Sequence, residues 1–276
     1  MRSVALLKKC LRLFLLGVLL GGFLLWQNFS LRVEQAEIPL ASLPEGLSGL
    51  RILQISDLHG RIFGPEHQYL LRAAEEARPD LICITGDLFE AETELSSLEP
   101  LIRGLCRLAP VYYVTGNHEW QRRDLEHCLL LLEEWGAEVL RNEYCILEQN
   151  GSRLALLGVD DPCGPYDQKK PEVVMAELRQ ELGEDCFVLA LDHRNDRLPL
   201  WQALGADLVL SGHCHGGVVR LPLVGGLIGP GRSWFPDYDA GLYRAGETQL
   251  YVSRGLGFPL RLFNRPQLPI LVLIRK

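Results

Sequence analysis

Five short stretches of this chain carry side chains able to bind metal ions, and each stands directly behind an apolar run. RILQIS is followed by Asp57-Leu58-His59, LICIT by Gly86-Asp87, VYYVT by Gly116-Asn117-His118-Glu119, FVLAL by Asp192-His193, and DLVLS by Gly212-His213-Cys214-His215. Carboxylate, amide oxygen and imidazole together suit a divalent ion of hard to borderline character, such as Mn2+, Fe2+ or Zn2+, whereas an all-oxygen set would suit Ca2+ or Mg2+. In Asp57-Leu58-His59, alternate residues of an extended strand end project to one side, so both side chains can reach one ion. Glycines at 86, 116 and 212 let the backbone turn sharply and approach the site closely. Each fragment alone is weak, because a lone histidine more often packs or faces water than binds an ion. Five in order make that bland reading improbable.

The elements that must position these residues follow from the apolar periodicity. From Arg51 onward, short apolar runs alternate with helical patterns, the mark of a layered α/β fold. Strands are expected at 51–55, 81–85, 111–115, 153–159, 187–191, 208–211, 249–253 and 270–274. Helices are expected at 66–78, 125–135, 171–182 and 198–204, with Pro79 stopping the first. The carboxyl ends of strands in α/β sheets are where ligands bind, so the five loops are expected to converge on one crevice. The Gly- and Pro-rich stretch 221–236 reads as one long functional loop.

Composition narrows the setting. A chain of 276 residues, 47% hydrophobic and 23% charged, is long enough for one sizeable α/β domain with an appendage. Its net charge of −7 argues against nucleic acid as a partner. The appendage is N-terminal: Arg2, Lys8, Lys9 and Arg12 precede the apolar run Leu13 to Trp26, with no small-residue cleavage site close behind. Residues 1–32 are therefore expected to be a signal anchor, 33–49 a linker leading into the domain, and 50–276 the domain itself. Basic residues before the run and Glu34 and Glu37 after it predict an extracytoplasmic domain on a cell membrane. The eight cysteines include no CxxC pair and do not form a disulfide framework.

The order DLH, GD, GNHE, a single downstream histidine, then GHCHGG resembles the calcineurin-like metallophosphoesterases, over about residues 50 to 275. The Gly-Gly after His215 and the Ser253-Arg254-Gly255-Leu256-Gly257 segment are similar to a bacterial membrane-associated subgroup that includes UDP-2,3-diacylglucosamine pyrophosphatases and cell-wall-associated phosphoesterases. The resemblance implies a four-layer α/β/β/α sandwich and two divalent ions (Mn, Fe or Zn). It implies that Asp57, His59 and His215 bind the first ion, that Asn117, His193 and His213 bind the second, and that Asp87 bridges both. Two such ions polarise phosphoryl oxygens and activate water for in-line attack. By the same resemblance His118 contacts phosphate or protonates the leaving group, with Asp87 and Asn117 counted beside it in the catalytic set.

Other residues keep two readings. Arg194 either adds positive charge for phosphate or faces solvent, and Arg254 forms either a phosphate clamp or an internal salt bridge. Asp160-Asp161-Pro162 is either a further acidic contribution or a turn. Cys214 reads as structural, and His67 and His127 as surface residues on helices. The segment 229–236 is either a lid or lipid-facing rim or part of the packed core. The expected activity is hydrolysis of a phosphodiester or pyrophosphate on a lipid-linked or envelope substrate by a monomer. A small soluble nucleotide substrate is the alternative within the same chemistry, a non-catalytic metal-binding scaffold the alternative outside it. A DNA-repair nuclease would want a basic channel and extra domains, which neither charge nor length offers.

Overall fold

The computed structural model of the chain describes residues 2–257 and 260–276. The first of its two larger sheets holds β1 (Arg32–Leu40), β2 (Arg51–Ile55), β3 (Leu81–Thr85), β4 (Val111–Val114) and β5 (Glu138–Val139). The second holds β6 (Glu143–Gln149), β7 (Ser152–Gly158), β8 (Phe187–Leu191) and β9 (Leu208–Ser211). A small ribbon of β10 (Arg220–Leu221) and β11 (Gly225–Gly226) interrupts it before β12 (Gly241–Ala245) and β13 (Thr248–Val252) complete it. The chain then returns to the first sheet as β14 (Gln267–Arg275), giving the orders β1-β14-β2-β3-β4-β5 and β12-β13-β9-β8-β7-β6.

The apolar runs are continuous because both faces of these strands are covered. In β3, Leu81 and Cys83 enter the core between the two sheets, while Ile82 and Ile84 face the helices outside. In β8, Phe187, Leu189 and Leu191 face the first sheet and Val188 and Ala190 face outward. Helices α2 (Gln68–Ala77), α3 (Glu99–Cys106) and α4 (Leu125–Glu134) cover the first sheet. Helices α5 (Pro171–Leu182) and α6 (Leu198–Leu204) cover the second. The result is the expected four-layer α/β/β/α sandwich.

Several elements were not anticipated. The stretch 33–49, expected as a linker, holds most of β1, which pairs in parallel with β14 from Arg32–Gln267 to Leu40–Arg275. Its polar residues Glu34, Gln35 and Glu37 hide the pattern. β5 is two residues long, β6 and β12 are half-exposed edge strands, and α3 lies in a stretch where no element was expected. Within 221–236 the expected single loop contains the second half of the β10–β11 ribbon. The α2 pattern starts later than expected because Glu66 and His67 adopt left-handed backbone (φ 49° and 58°), which a helix cannot contain. His67 is a correction: it is fully buried, and burial lowers its pKa.

Ahead of the sandwich stands α1 (Arg2–Phe29 before β1). Its segment Cys10–Phe29 is long and apolar enough to cross a membrane and is almost wholly exposed. All eight cysteines are free thiols.

Candidate metal centre

The loops that follow β2, β3, β4, β8 and β9 meet between the two sheets at one end of the sandwich. Buried Gln54 links the strand ends, donating to Thr85 Oγ1 (3.0 Å) and to Ser211 O (2.9 Å) across the sheets. Around this link, four ligating atoms from Asp57, His59, Asp87 and His215 lie within 4.8 Å of one another, and so do three from Asp87, His193 and His213. Asp87 belongs to both groups. The amide oxygen of Asn117 lies 3.2 Å from His193 Nε2 and completes the second.

The backbone that achieves this is not extended. Asp57, His59, Asp87, His213 and His215 all have φ between 50° and 66°, a region costly for residues with a Cβ and found mainly where function requires it. The expected pleat geometry of Asp57 and His59 is thereby corrected: a left-handed turn aims both side chains. It is held by Asp57 N–H donating to Gly86 O (3.0 Å) and His59 N–H donating to Asp87 O (2.9 Å). Two glycines make room. A Cβ on Gly116 would collide with Asp87 Oδ1 and the Asp87 amide, and one on Gly212 would collide with Ser56 Oγ and Asp57 Oδ2.

Glu119, last residue of GNHE, organises the ligand loops. Fully buried, its Oε2 accepts from the amides of Asp87 (3.0 Å) and Gly116 (2.8 Å), and its Oε1 from Leu88 (2.6 Å) and Phe89 (3.4 Å). One carboxylate thus ties the β3 loop to the β4 loop. Burial and the nearby Asp87 charge push its pKa up to about 7. The motif was visible in the sequence; this task for its last residue was not.

Protonation differs across the cluster: despite burial, the Asp87 carboxylate raises His193 to about 10, and Glu90 and Asp87 raise His59, so an arriving cation would displace their protons. Burial drives His213 down to about 3 and His215 well below its usual value, so both rings keep a lone pair. Burial raises Asp57; in Asp87 the effect of burial is overridden by the His193, His59 and His118 charges, which hold its pKa low. His193 lies 3.2 Å from Asp87 Oδ2 through Nε2, and its Nδ1 donates to Thr85 O (2.8 Å). That second bond fixes the ring so that Nε2 faces the cluster. Asp57 Oδ2 is buried with no hydrogen-bond donor, a cost that a bound cation would offset. The residues present therefore fit two cations that share Asp87.

His118 is more open than His59, His193 and His215, with its side chain 32% exposed. Its Nε2 is 3.9 Å from Asp87 Oδ2, its Nδ1 is 3.8 Å from Glu90 Oε1, and its ring meets that of His59 edge-on. Glu90, not singled out from sequence, also lies 3.0 Å from His59 Nδ1.

The two arginines expected at the substrate are engaged with carboxylates of the chain itself. Arg194 grips Asp161 with Nε at 2.6 Å and Nη2 at 2.9 Å, and its Nη1 lies 3.0 Å from His213 Nε2. It is neither solvent-facing nor turned wholly to the cleft. Arg254 donates to Glu34 Oε2 (2.8 Å) on β1, the internal salt bridge among its two readings. Asp160 accepts from Thr115 Oγ1 (2.8 Å) and Arg141 (3.2 Å), so neither Asp160 nor Asp161 joins the metal groups. Cys214 is buried, and burial pushes its thiol up to about 12, as a packing residue requires. His127 is exposed on α4.

Two cavities open onto the cluster and share His118 and His215. One, about 550 Å3, runs to Asn28, Phe29 and Arg61. The other, about 290 Å3, is bounded by the loop Gly229 to Arg232. Trp234 and Phe235 beyond that loop are exposed rather than packed into the core.

Comparisons agree with the geometry. A family model described as calcineurin-like phosphoesterase matches residues 50–217. The chain is 32% identical over 257 residues to a transmembrane protein with metallophosphoesterase domain from Danio rerio, covering 88% of this chain and 57% of that protein. It is 31% identical to the uncharacterized metallophosphoesterase YkuE of Bacillus subtilis (strain 168), covering 87% and 85%. Phosphodiesterase YaeI of Escherichia coli (strain K12) is 30% identical, with 85% and 86% covered. Among solved structures, the NAD nucleotidase of Haemophilus influenzae shares the fold, with a TM-score of 0.50 at 16% identity over 75% of this chain and 45% of that one. The chain thus spans little more than half the length of the zebrafish relative.

Proposed function

Because the chain belongs to the calcineurin-like phosphoesterase family, we propose that it hydrolyses a phosphodiester or pyrophosphate bond of a lipid-linked or envelope substrate at the cluster centred on Asp87. It is a metal-dependent phosphoester hydrolase, and the family and the paired ligand groups support two divalent ions. In this reading Asp57, His59 and His215 would hold one ion and Asn117, His193 and His213 the other, with Asp87 common to both groups. Mn, Fe or Zn suits the mixed nitrogen and oxygen donors.

When bound, two such ions supply Lewis-acid activation of the phosphoryl oxygens and of water near neutral pH. The chain's own groups do the rest. Glu119 holds the β3 and β4 loops in register, so Asp87 and Asn117 keep their spacing. The Thr85 carbonyl keeps His193 Nδ1 protonated and its Nε2 directed at the cluster. His118, partly exposed at the junction of both cavities, holds the phosphate or delivers the leaving-group proton from its ring. The apolar α1 and the zebrafish relative's description support a membrane anchor. The basic residues before the apolar run favour an extracytoplasmic domain.

The observation that carries this reading is the sharing of Asp87 between two ligand groups built from five separate loops. It is tested on the purified full chain with bis-p-nitrophenyl phosphate. Chelation should abolish hydrolysis, Mn2+ should restore it, and metal analysis should find two ions per chain. Hydrolysis that survives chelation or Asp87→Ala would refute the two-metal reading.

A further inference from the structure

The anchor helix does not hang from the domain; it is clamped to it beside the cleft. Asn28 donates from Nδ2 to Arg261 O (3.1 Å), and the Arg261 amide donates back to Asn28 Oδ1 (2.6 Å). Arg265 donates to Ser30 O (3.2 Å) and Leu31 O (3.0 Å) while its guanidinium stacks 4.7 Å from the Trp26 ring. Phe263 meets Phe23 with ring centroids 5.8 Å apart. Phe23 lies six residues before the helix end, about 9 Å down its axis at 1.5 Å per residue. If Cys10–Phe29 crosses the bilayer, the 261–265 segment reaches into the lipid headgroups. The exposed apolar side chains of Ile62, Leu260 and Phe263 on this side of the domain fit that depth.

The 550 Å3 cavity has His59, His118, His215 and the Glu90 carboxylate, paired with His59, at one end and Asn28, Phe29 and Arg61 at the other. Arg61 is held by the Asn28 carbonyl and sits between the rings of Phe29 (4.8 Å) and Phe63 (5.2 Å). Among the described residues it makes no ion pair, so a fixed cation faces the cavity without a carboxylate of its own. A cation and an exposed aromatic ring at the membrane end, with phosphate chemistry at the other, match an amphiphile that stays partly in the bilayer.

We propose that the end of α1 is the specificity-determining wall of the substrate site: Arg61 receives a second oxygen of an amphiphilic phosphoester at the metal cluster, and Phe29 lies along its acyl or alkyl chain. This rests on the hydrolase reading above and adds where selectivity arises. The anchor then acts in recognition as well as in tethering, and a chain cut after Phe29 is expected to lose preference for lipids beyond what detachment explains.

The test uses the full chain in detergent micelles with Mn2+ and two diesters having the same leaving group, ethyl and hexadecyl p-nitrophenyl phosphate. The native protein should favour the hexadecyl ester in kcat/KM. Phe29→Ser should lower the hexadecyl-to-ethyl ratio about ten-fold, the factor expected when one aromatic contact with a chain is lost. Phe29 is 67% exposed, so its truncation leaves the fold intact. Arg61→Gln should lower kcat/KM for both esters alike, because both carry the oxygen it receives, while Leu130→Ser, on the outer face of α4, should change neither value. A native ratio near one, a ratio unmoved by Phe29→Ser, or kcat/KM values unmoved by Arg61→Gln overturns the proposal while leaving the hydrolase reading standing. If neither ester is hydrolysed, the hydrolase reading falls and this one with it.

Discussion

Replacing Glu119 with glutamine should loosen the metal centre without removing a ligand. Its two oxygens accept four backbone amides, from Asp87, Gly116, Leu88 and Phe89, in a site with no exposed surface. Glutamine offers one oxygen and one NH2, so whichever way it turns, two amides face a donor. Each orphaned buried amide costs about 1–3 kcal/mol, and the two surviving bonds weaken when their acceptor loses its charge. Against this stands relief from the burial and the Asp87 repulsion that together push the Glu119 carboxyl from 4.5 up to about 7; a rise of that size returns roughly 3 kcal/mol. The net loss is about 2 kcal/mol, which for a domain of more than 200 residues lowers Tm by roughly 4–8 °C. Thermal unfolding of native protein and Glu119→Gln, with and without Mn2+, measures the loss. Calorimetric titration should also show weaker Mn2+ binding, because Asp87 and Asn117 sit on the two loops that the carboxylate joins. A Tm within about 2 °C of native together with unchanged Mn2+ affinity would refute the claim that this carboxylate sets the spacing.

Further outcomes follow from the same geometry. Mn2+ at about 100 times its Kd should stabilise the native chain by about 2.7 kcal/mol, and Asp87→Ala should abolish that shift in a thermal melt. Arg194→Ala strands the buried Asp161 and should cost about 3 kcal/mol, with part regained in the Arg194→Ala/Asp161→Ala double variant; if the double variant is no more stable than the single one, the ion pair is not the source. Gly116→Ala drives a Cβ into Asp87 and should cost about 2 kcal/mol or more and reduce bound metal, read by unfolding and metal analysis. Glu34→Gln and Arg254→Met should show a coupling of about 1 kcal/mol in a double-mutant cycle by urea unfolding. A change in diester KM without such coupling would return Arg254 to the substrate.

How much of this protein was legible in its sequence depended on the range of the interaction involved. The strands β2, β3, β8 and β9 and the helices α5 and α6 were readable to the residue, because apolar runs covered on both faces, or apolar stripes bounded by breakers, are local patterns. The candidate metal-binding residues stand out for the same reason: each follows immediately behind such a run, and the structure brings them together. β1 was not, since its polar residues mask a strand whose partner, β14, lies more than 200 residues away. Nor was the burial of His67, which an unexpected left-handed turn carries inward.

The sequence by itself determined which atoms could meet, through the order of five strand-end loops and their donor types. Only the tertiary structure decided how they meet. It placed five ligand residues in left-handed backbone, gave Glu119 the amides of two loops, and turned Arg194 and Arg254 toward Asp161 and Glu34. It also set the end of α1 against the cleft. These outcomes depend on pairings between distant segments, where burial makes an unsatisfied charge or amide costly and so selects one partner among several that local sequence leaves equal.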